Sequence, residues 1–215
     1  MKVSVFGTGM VGVTIATKLI EEGHEVMMGS RSATNENAMK WAQAAGDRAT
    51  CGTYEDAAKH SDLYFNCTNG MGALEALQSA GADHLADGVL IDVSNPLDFS
   101  KGMPPTLFVS NDDSLGEQIQ RTFPKLKVVK SLNTVNCEVM VDAKKVAGSH
   151  TIFMSGNDSG AKERVHGILA NWFGWSDIID LGDITTARGT ESLMPIWIRL
   201  WQTLGHANFN FKIVR

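Results

Sequence analysis

Six residues, Gly7-Thr8-Gly9-Met10-Val11-Gly12, restrict this chain more than any others. They follow a short apolar run, Lys2–Phe6, and open a segment from Met10 to Glu22 in which Val11, Ile15, Leu19 and Ile20 recur at helical spacing. GxGxxG alone is a common accident. Between a strand and a helix it is the turn of a dinucleotide-binding βαβ unit. The first glycine serves a tight turn, the second lets main chain approach a pyrophosphate, and the third lets the helix pack closely on the strand. The helix start adds unpaired N–H groups and the positive end of a dipole.

The end of the second strand chooses the nucleotide. An NAD site carries Asp or Glu there for the ribose 2′-OH. After Glu25–Met28 this chain has Gly29-Ser30-Arg31-Ser32 instead. The planar fork of Arg31, with the hydroxyls of Ser30 and Ser32 beside it, suits a 2′-phosphate. The expected cofactor is therefore NADP(H) rather than NAD(H).

Strand and helix patterns then alternate. Strands are expected at residues 49–52, 62–67, 89–93 and 127–130, and helices at 35–45, from Thr53 as N-cap, at 71–80 and at 114–122. This alternation predicts an α/β fold, a Rossmann-type doubly wound parallel sheet with right-handed crossovers. The remainder reads as a small C-terminal α/β cap: a strand at 151–155, a helix at 159–173, a strand at 176–180, a helix at 185–204 kinked or broken at Pro195, and a short alternating strand at 208–214. The division falls within Asp142–Ser149, giving a nucleotide-binding domain over 1–145 and a cap and acceptor region over 146–215.

With 215 residues, 43% of them hydrophobic and 20% charged, one sizeable core is expected. A net charge of −5 argues against a nucleic-acid or anionic-membrane partner. There is no apolar run long enough to cross a bilayer and no signal-peptide pattern, so a cytoplasmic protein is expected. Cys51, Cys67 and Cys137 lack CxxC spacing and read as reduced thiols; the six histidines lack ligand spacing, and no metal site is expected.

Assembled, these residues resemble a known family. The segments are Gly7–Gly12, Gly29-Ser30-Arg31, Ile91-Asp92-Val93-Ser94-Asn95-Pro96-Leu97 and Val128-Val129-Lys130-Ser131-Leu132-Asn133-Thr134. Further on come Gly156-Asn157-Asp158, Asp180-Leu181-Gly182, Ala187-Arg188-Gly189-Thr190-Glu191-Ser192-Leu193 and Phe211-Lys212-Ile213. Over essentially its whole length the chain resembles the NADPH:deazaflavin (coenzyme F420) oxidoreductases, and it is similar to the cytoplasmic domain of the six-transmembrane metalloreductases. The resemblance implies NADPH, a small-molecule two-electron acceptor with an isoalloxazine-like ring (coenzyme F420, or FMN or FAD), and a homodimer. Deazaflavin-reducing members often carry histidine where this chain has Asn133.

In an open α/β sheet the ligand lies beyond the carboxyl ends of the strands. The candidate cofactor-binding residues are accordingly Gly7, Thr8, Gly9, Met10, Val11 and Gly12; Ser30, Arg31 and Ser32; Cys67, Thr68 and Asn69; Ser94, Asn95 and Pro96; and Asn133, Thr134 and Val135. Hydride transfer asks the protein for alignment and exclusion of water rather than for acid–base help, so no catalytic side chain is expected. Asn69, Asn95 and Asn133 also read as turn residues; the two readings balance for Asn95, and the place of Asn133 after a strand favours the cofactor. Arg188 and Glu191 share a helix face, near an acceptor or as a structural ion pair. Trp172, Trp175, Trp197 and Trp201 line an acceptor pocket or a dimer interface, or simply fill the core. Three functions fit: an NADP(H)-dependent oxidoreductase, an NADPH-sensing module, or a reductase of a small imine or keto substrate. The last generally needs a large helical second domain, for which roughly 65 residues leave little room.

Overall fold

The structure, a computed structural model, describes residues 1–214. The strands are β1 (Lys2–Phe6), β2 (Glu25–Ser30), β3 (Ala49–Thr53), β4 (Leu63–Asn66), β5 (Val89–Asp92), β6 (Leu97–Asp98), β7 (Thr106–Leu107), β8 (Lys127–Ser131), β9 (Thr151–Gly156) and β10 (Asp177–Asp180). The helices are α1 (Met10–Glu21), α2 (Glu36–Ala45), α3 (Tyr54–His60), α4 (Ala73–Ala80), α5 (Ala82–Leu85), α6 (Leu115–Thr122), α7 (Cys137–Val141), α8 (Ser159–Asn171), α9 (Ala187–Ser192) and α10 (Met194–Leu204).

Eight strands form one sheet in the order β10-β9-β8-β5-β4-β1-β2-β3. Side chains alternate between its faces. Val3, Val5, Leu63, Phe65, Ile91 and Val129 pack with α1, α2, α7 and α8 in one core. Phe6, Tyr64, Leu90 and Val128 pack with α3, α4, α5 and α6 in another. Because both faces are covered, the central strands read as continuous apolar runs. β1 lies between β2 and β4, so the connections leave it in opposite directions, and the crevice of the switch point opens there.

Asn35, Thr53 and Ser114 each cap a helix, accepting from Ala38, Asp56 and Glu117 N–H respectively. The sheet is parallel except that β9 runs antiparallel to β8. The link between them, residues 132–150, holds only the short α7 and a 3-10 turn (Ala143–Lys145). The chain therefore re-enters at the edge it left, and β9 runs backwards. β9 and β10 thus extend the same sheet. The expected 185–204 helix is a 3-10 turn (Ile184–Thr186) followed by α9 and α10, which meet at Leu193. Pro195 lies in the first turn of α10, where a missing N–H is harmless. The expected strand at 208–214 is not one. A backbone bond joins Thr151 N–H to Phe211 O (2.9 Å), but the other contacts to Thr151 run through the Asn210 side chain and the Thr151 hydroxyl, so no ladder forms. Among the described residues no helix is long and apolar enough to cross a membrane.

Candidate functional site

The turn after β1 is shaped by contacts that exclude side chains. Gly7 has φ +116°, and a Cβ there would lie 2.6 Å from Cys67 O. A Cβ on Gly12 would lie 2.1 Å from Gly7 O, so the helix starts hard against the strand. Gly9 is different: nothing lies within 4 Å of where its Cβ would be. The first helical bond is Val13 N–H to Gly9 O (2.9 Å), which leaves the N–H groups ahead of it without helical acceptors. Thr8 is half-buried within this turn.

Beyond β2, Ser30 is buried and its hydroxyl donates to Ser32 O (2.6 Å), while the hydroxyls of Ser32 and Thr34 share a bond (2.9 Å). Both serine hydroxyls are thus engaged in shaping the turn. Arg31 is exposed and, among the described residues, makes no hydrogen bond or ion pair. Its guanidinium borders a hollow of about 540 Å3 with Asn69, Met71, Gly72 and Phe99. Gly72 lies beside it: a Cβ there would be in ordinary contact with Arg31 Nη2, at 3.8 Å.

The main cleft, also about 540 Å3, adjoins this hollow through Asn69, Leu97 and Phe99. Met10 and Val11 line it from α1; Cys67, Thr68 and Asn69 from the loop after β4; Ser94 and Asn95 from the loop after β5; Asn133 and Val135 from the loop after β8. Pro96 and Thr134 are buried beside it instead; among the described residues the Thr134 hydroxyl has no partner. The opposite wall was not among the expected cofactor residues. It consists of Asn136, Cys137 and Met140 around α7 and of Met194, Trp197 and Trp201 on α10. Trp197 packs on Trp201 (ring centroids 6.4 Å) and on Phe209 (5.3 Å). Asn136 caps α7 and its amide also donates to Ala207 O, drawing residue 207 to the cleft. Trp175 is core, and Trp172 packs on His24.

Asn95 and Asn133 bind each other across two loops. Asn95 Nδ2 donates to Asn133 O (2.8 Å), and Asn133 Nδ2 donates to Asn95 Oδ1 (2.9 Å). Asn69 instead caps a 3-10 turn, accepting from Met71 N–H (3.0 Å). Leu132, just before Asn133, has φ +63°, a costly conformation for leucine that places the turn. Apart from two cysteines, the cleft lining holds no ionisable side chain among the described residues. Burial pushes the Cys67 thiol far above the ordinary range, and the nearby Asp92 charge adds to this.

Arg188 and Glu191 do not pair with each other. Arg188 makes a two-pronged bond to Glu117 (2.8 and 2.6 Å). Glu191 is buried, accepts from Leu115 and Gly116 N–H (2.8 and 3.0 Å) and meets Lys130 (2.8 Å). Lys130 also meets Asp92 (2.6 Å). Although burial alone would lower its pKa, these two carboxylates outweigh that and hold it above the usual lysine range.

A sequence profile for the family described as "NADP oxidoreductase coenzyme F420-dependent" matches residues 2–96. A crystal structure from Arthrobacter sp. FB24, provisionally named an F420-dependent NADP-reductase, is 51% identical, with all of both chains covered and a TM-score of 0.96. The chain belongs to this family. It is an NADP-dependent oxidoreductase. The rat metalloreductase STEAP3 is 27% identical over 202 residues, which cover 91% of this chain and 38% of that protein, so the oxidoreductase spans well under half of that relative. The reductive aminase of Aspergillus terreus, solved with NADPH4, cyclohexanone and allyl amine, shares the fold at a TM-score of 0.65 and 17% identity, over 95% of this chain and 62% of that one. The oxidoreductase's own residues fit the nucleotide on two counts: open space beside Gly9 at a helix start, and, at Arg31, a cation unpaired among the described residues.

Proposed function

We propose that the oxidoreductase moves hydride between NADP(H) and a planar acceptor of the deazaflavin (F420) or flavin (FMN, FAD) type held in the main cleft. The observation carrying this reading is a cleft of amides, thioethers and indoles without an acid or base in its lining among the described residues. Reduction of a ketone leaves an alkoxide that needs a proton donor within reach. A flavin-like ring spreads the added negative charge over its ring nitrogens and carbonyls, so the transfer step needs no proton and the ring can take one after it leaves the cleft. The desolvated Cys67 thiol, with its raised pKa, is no substitute donor.

Bound NADPH supplies the hydride. Gly7–Gly12 and the start of α1 hold the pyrophosphate, and Arg31 holds the 2′-phosphate. The reciprocal Asn95–Asn133 pair fixes two loops whose remaining amide capacity orients the nicotinamide. Trp197, Trp201 and Met194 on α10 face the acceptor and keep water out. The acceptor lies between Asn133-Thr134-Val135 and α10. Ile196, Trp201 and Leu204 leave apolar surface exposed on α10, which supports a homodimer through this helix.

The deciding experiment is NADPH consumption with coenzyme F420, FMN, FAD and ferric chelates in parallel. Turnover with one of the ring acceptors is the expected result. Oxidation by ferric chelate alone would overturn the ring assignment. Tight NADPH binding without turnover of any acceptor would make the chain a nucleotide-binding sensor.

A further inference from the structure

One row of polar side chains crosses the sheet beneath the cleft. Asn66, Asp92 and Lys130 are register neighbours on β4, β5 and β8. Each stands two residues after Tyr64, Leu90 or Val128, so all three point to the face those residues pack on. They are 0%, 0% and 1% exposed. A continuous run of hydrogen bonds and ion pairs links them. The Thr68 hydroxyl donates to Asn66 Oδ1 (2.7 Å), and Asn66 Nδ2 donates to Asp92 Oδ1 (2.8 Å). Asp92 Oδ2 meets Lys130 Nζ (2.6 Å), and Lys130 meets Glu191 on α9 (2.8 Å).

The lysine ammonium has three protons, and three acceptors surround it. Two are the carboxylates of Asp92 and Glu191. The third is the carbonyl of Ser94 (2.8 Å), whose hydroxyl in turn donates to Asp92 (2.7 Å). Three segments distant in sequence therefore converge on one nitrogen: the end of β5 with its loop, β8 and α9. The next residue along the loop is Asn95, the one locked to Asn133. Such an arrangement is poorly explained by stability, because buried ion pairs are often no more stabilising than apolar side chains of the same size. It does fix position. The ammonium takes the Ser94 carbonyl to a single height, and Glu191 sets that height relative to the helix pair that carries Trp197 and Trp201.

We propose that Lys130 is a positioning residue: it holds the Ser94–Asn95 segment, and Asn133 with it, where the nicotinamide half of NADP(H) binds, and couples that segment to the α9–α10 wall of the cleft. This rests on the NADP(H) site assigned above. Lys130 is buried and is not among the residues lining the cleft; it acts through Ser94. The adenosine half of the site, at Gly29–Ser32, is built on the other side of β1 and is not part of this network.

That separation supplies the test. Binding of NADPH and of 2′,5′-ADP, which lacks the nicotinamide half, is measured by calorimetry for the unaltered protein, Lys130→Met and Glu191→Gln. The expected result is that Lys130→Met weakens NADPH by about tenfold or more and 2′,5′-ADP by less than about twofold. Glu191→Gln, close in shape but with one acceptor oxygen in place of two, removes the charge facing Lys130 and one of the two α6 N–H bonds, and should show the same selectivity at about threefold or more. Thermal melting establishes that each variant is folded, and if Lys130→Met is not, Glu191→Gln decides. Equal losses for both ligands, or an unchanged NADPH affinity in a folded variant, overturn the proposal. Failure of the unaltered protein to bind 2′,5′-ADP overturns the Arg31 assignment, and the proposal falls with it.

Discussion

Arg31 is an exposed cation that makes no hydrogen bond or ion pair among the described residues, so its removal should leave the fold untouched. If it holds the 2′-phosphate, Arg31→Ala should weaken NADPH by about 1.5–3 kcal/mol, roughly 10- to 150-fold, with NADH nearly unaffected. Calorimetric titration of both nucleotides reads this, and equal losses would count against it. Two glycines offer a sharper contrast. Gly9→Val places its side chain in open space; it should melt like the parent protein yet fail to bind either nucleotide. A Cβ on Gly70 would lie 1.9 Å from Asn95 O, so Gly70→Ala must push the Asn95 loop aside. Overpacking of that kind costs about 1–3 kcal/mol, a fall in melting temperature of roughly 2–12 °C for a chain of this size. Gly9 could be singled out in the sequence because the dinucleotide motif is a local pattern, and its role awaits that binding test. Gly70 could not, since its need arises from a loop 25 residues away. The choice for Asn95 between turn and ligand missed what both asparagines do, which is to bind each other.

At the scale of elements, α6 shows how a helix start is built. Ser114 accepts from Glu117 N–H (3.1 Å) and donates to Glu117 Oε2 (2.8 Å), while Arg188 of α9 grips the same carboxylate. The Arg188 bond, together with Ser114, holds the Glu117 pKa below its ordinary value of 4.5 against the opposing cost of burial. A depressed carboxylate stabilises the fold above its unfolded pKa, and the benefit is lost as pH falls through the folded value. Glu117→Gln should therefore lower the melting temperature at pH 7, with the difference shrinking below about pH 4.5. A difference that persists undiminished to pH 3 would show that the charge is not responsible. Elements of five residues or more in the doubly wound part were largely readable from periodicity, as was the cap at Thr53; Ser114, read as the first residue of a helix, is instead its cap. The β6–β7 hairpin and α5 are too short to show a period, and α7 covers little more than one turn. The alternation at 208–214 misled because period 2 signals a strand only where a partner ladder exists.

For the molecule as a whole, the sheet runs without a break through the boundary expected near residue 145. Alternating strands and helices announced parallel pairing; the reversal at β9 depended on the length of one link. The α10 face bearing Ile196, Trp201 and Leu204 predicts a dimer, and light scattering at micromolar concentration should give twice the chain mass. A monomer that binds NADPH fully would remove α10 as an interface. The Lys130 cluster could not be read in advance, because its members lie far apart in sequence and only strand register brings them together. That distance has a consequence for biosynthesis. Leu115 and Glu191 are 76 residues apart. At about 5–20 residues per second, translation takes roughly 4–15 s to span that gap. Until residue 191 leaves the ribosome, two amide groups of α6 and one lysine lack their partner, although the whole glycine turn has long been made. The nascent chain should accordingly present an early foothold for the nucleotide's phosphates and acquire its grip on the nicotinamide only as the last helices emerge.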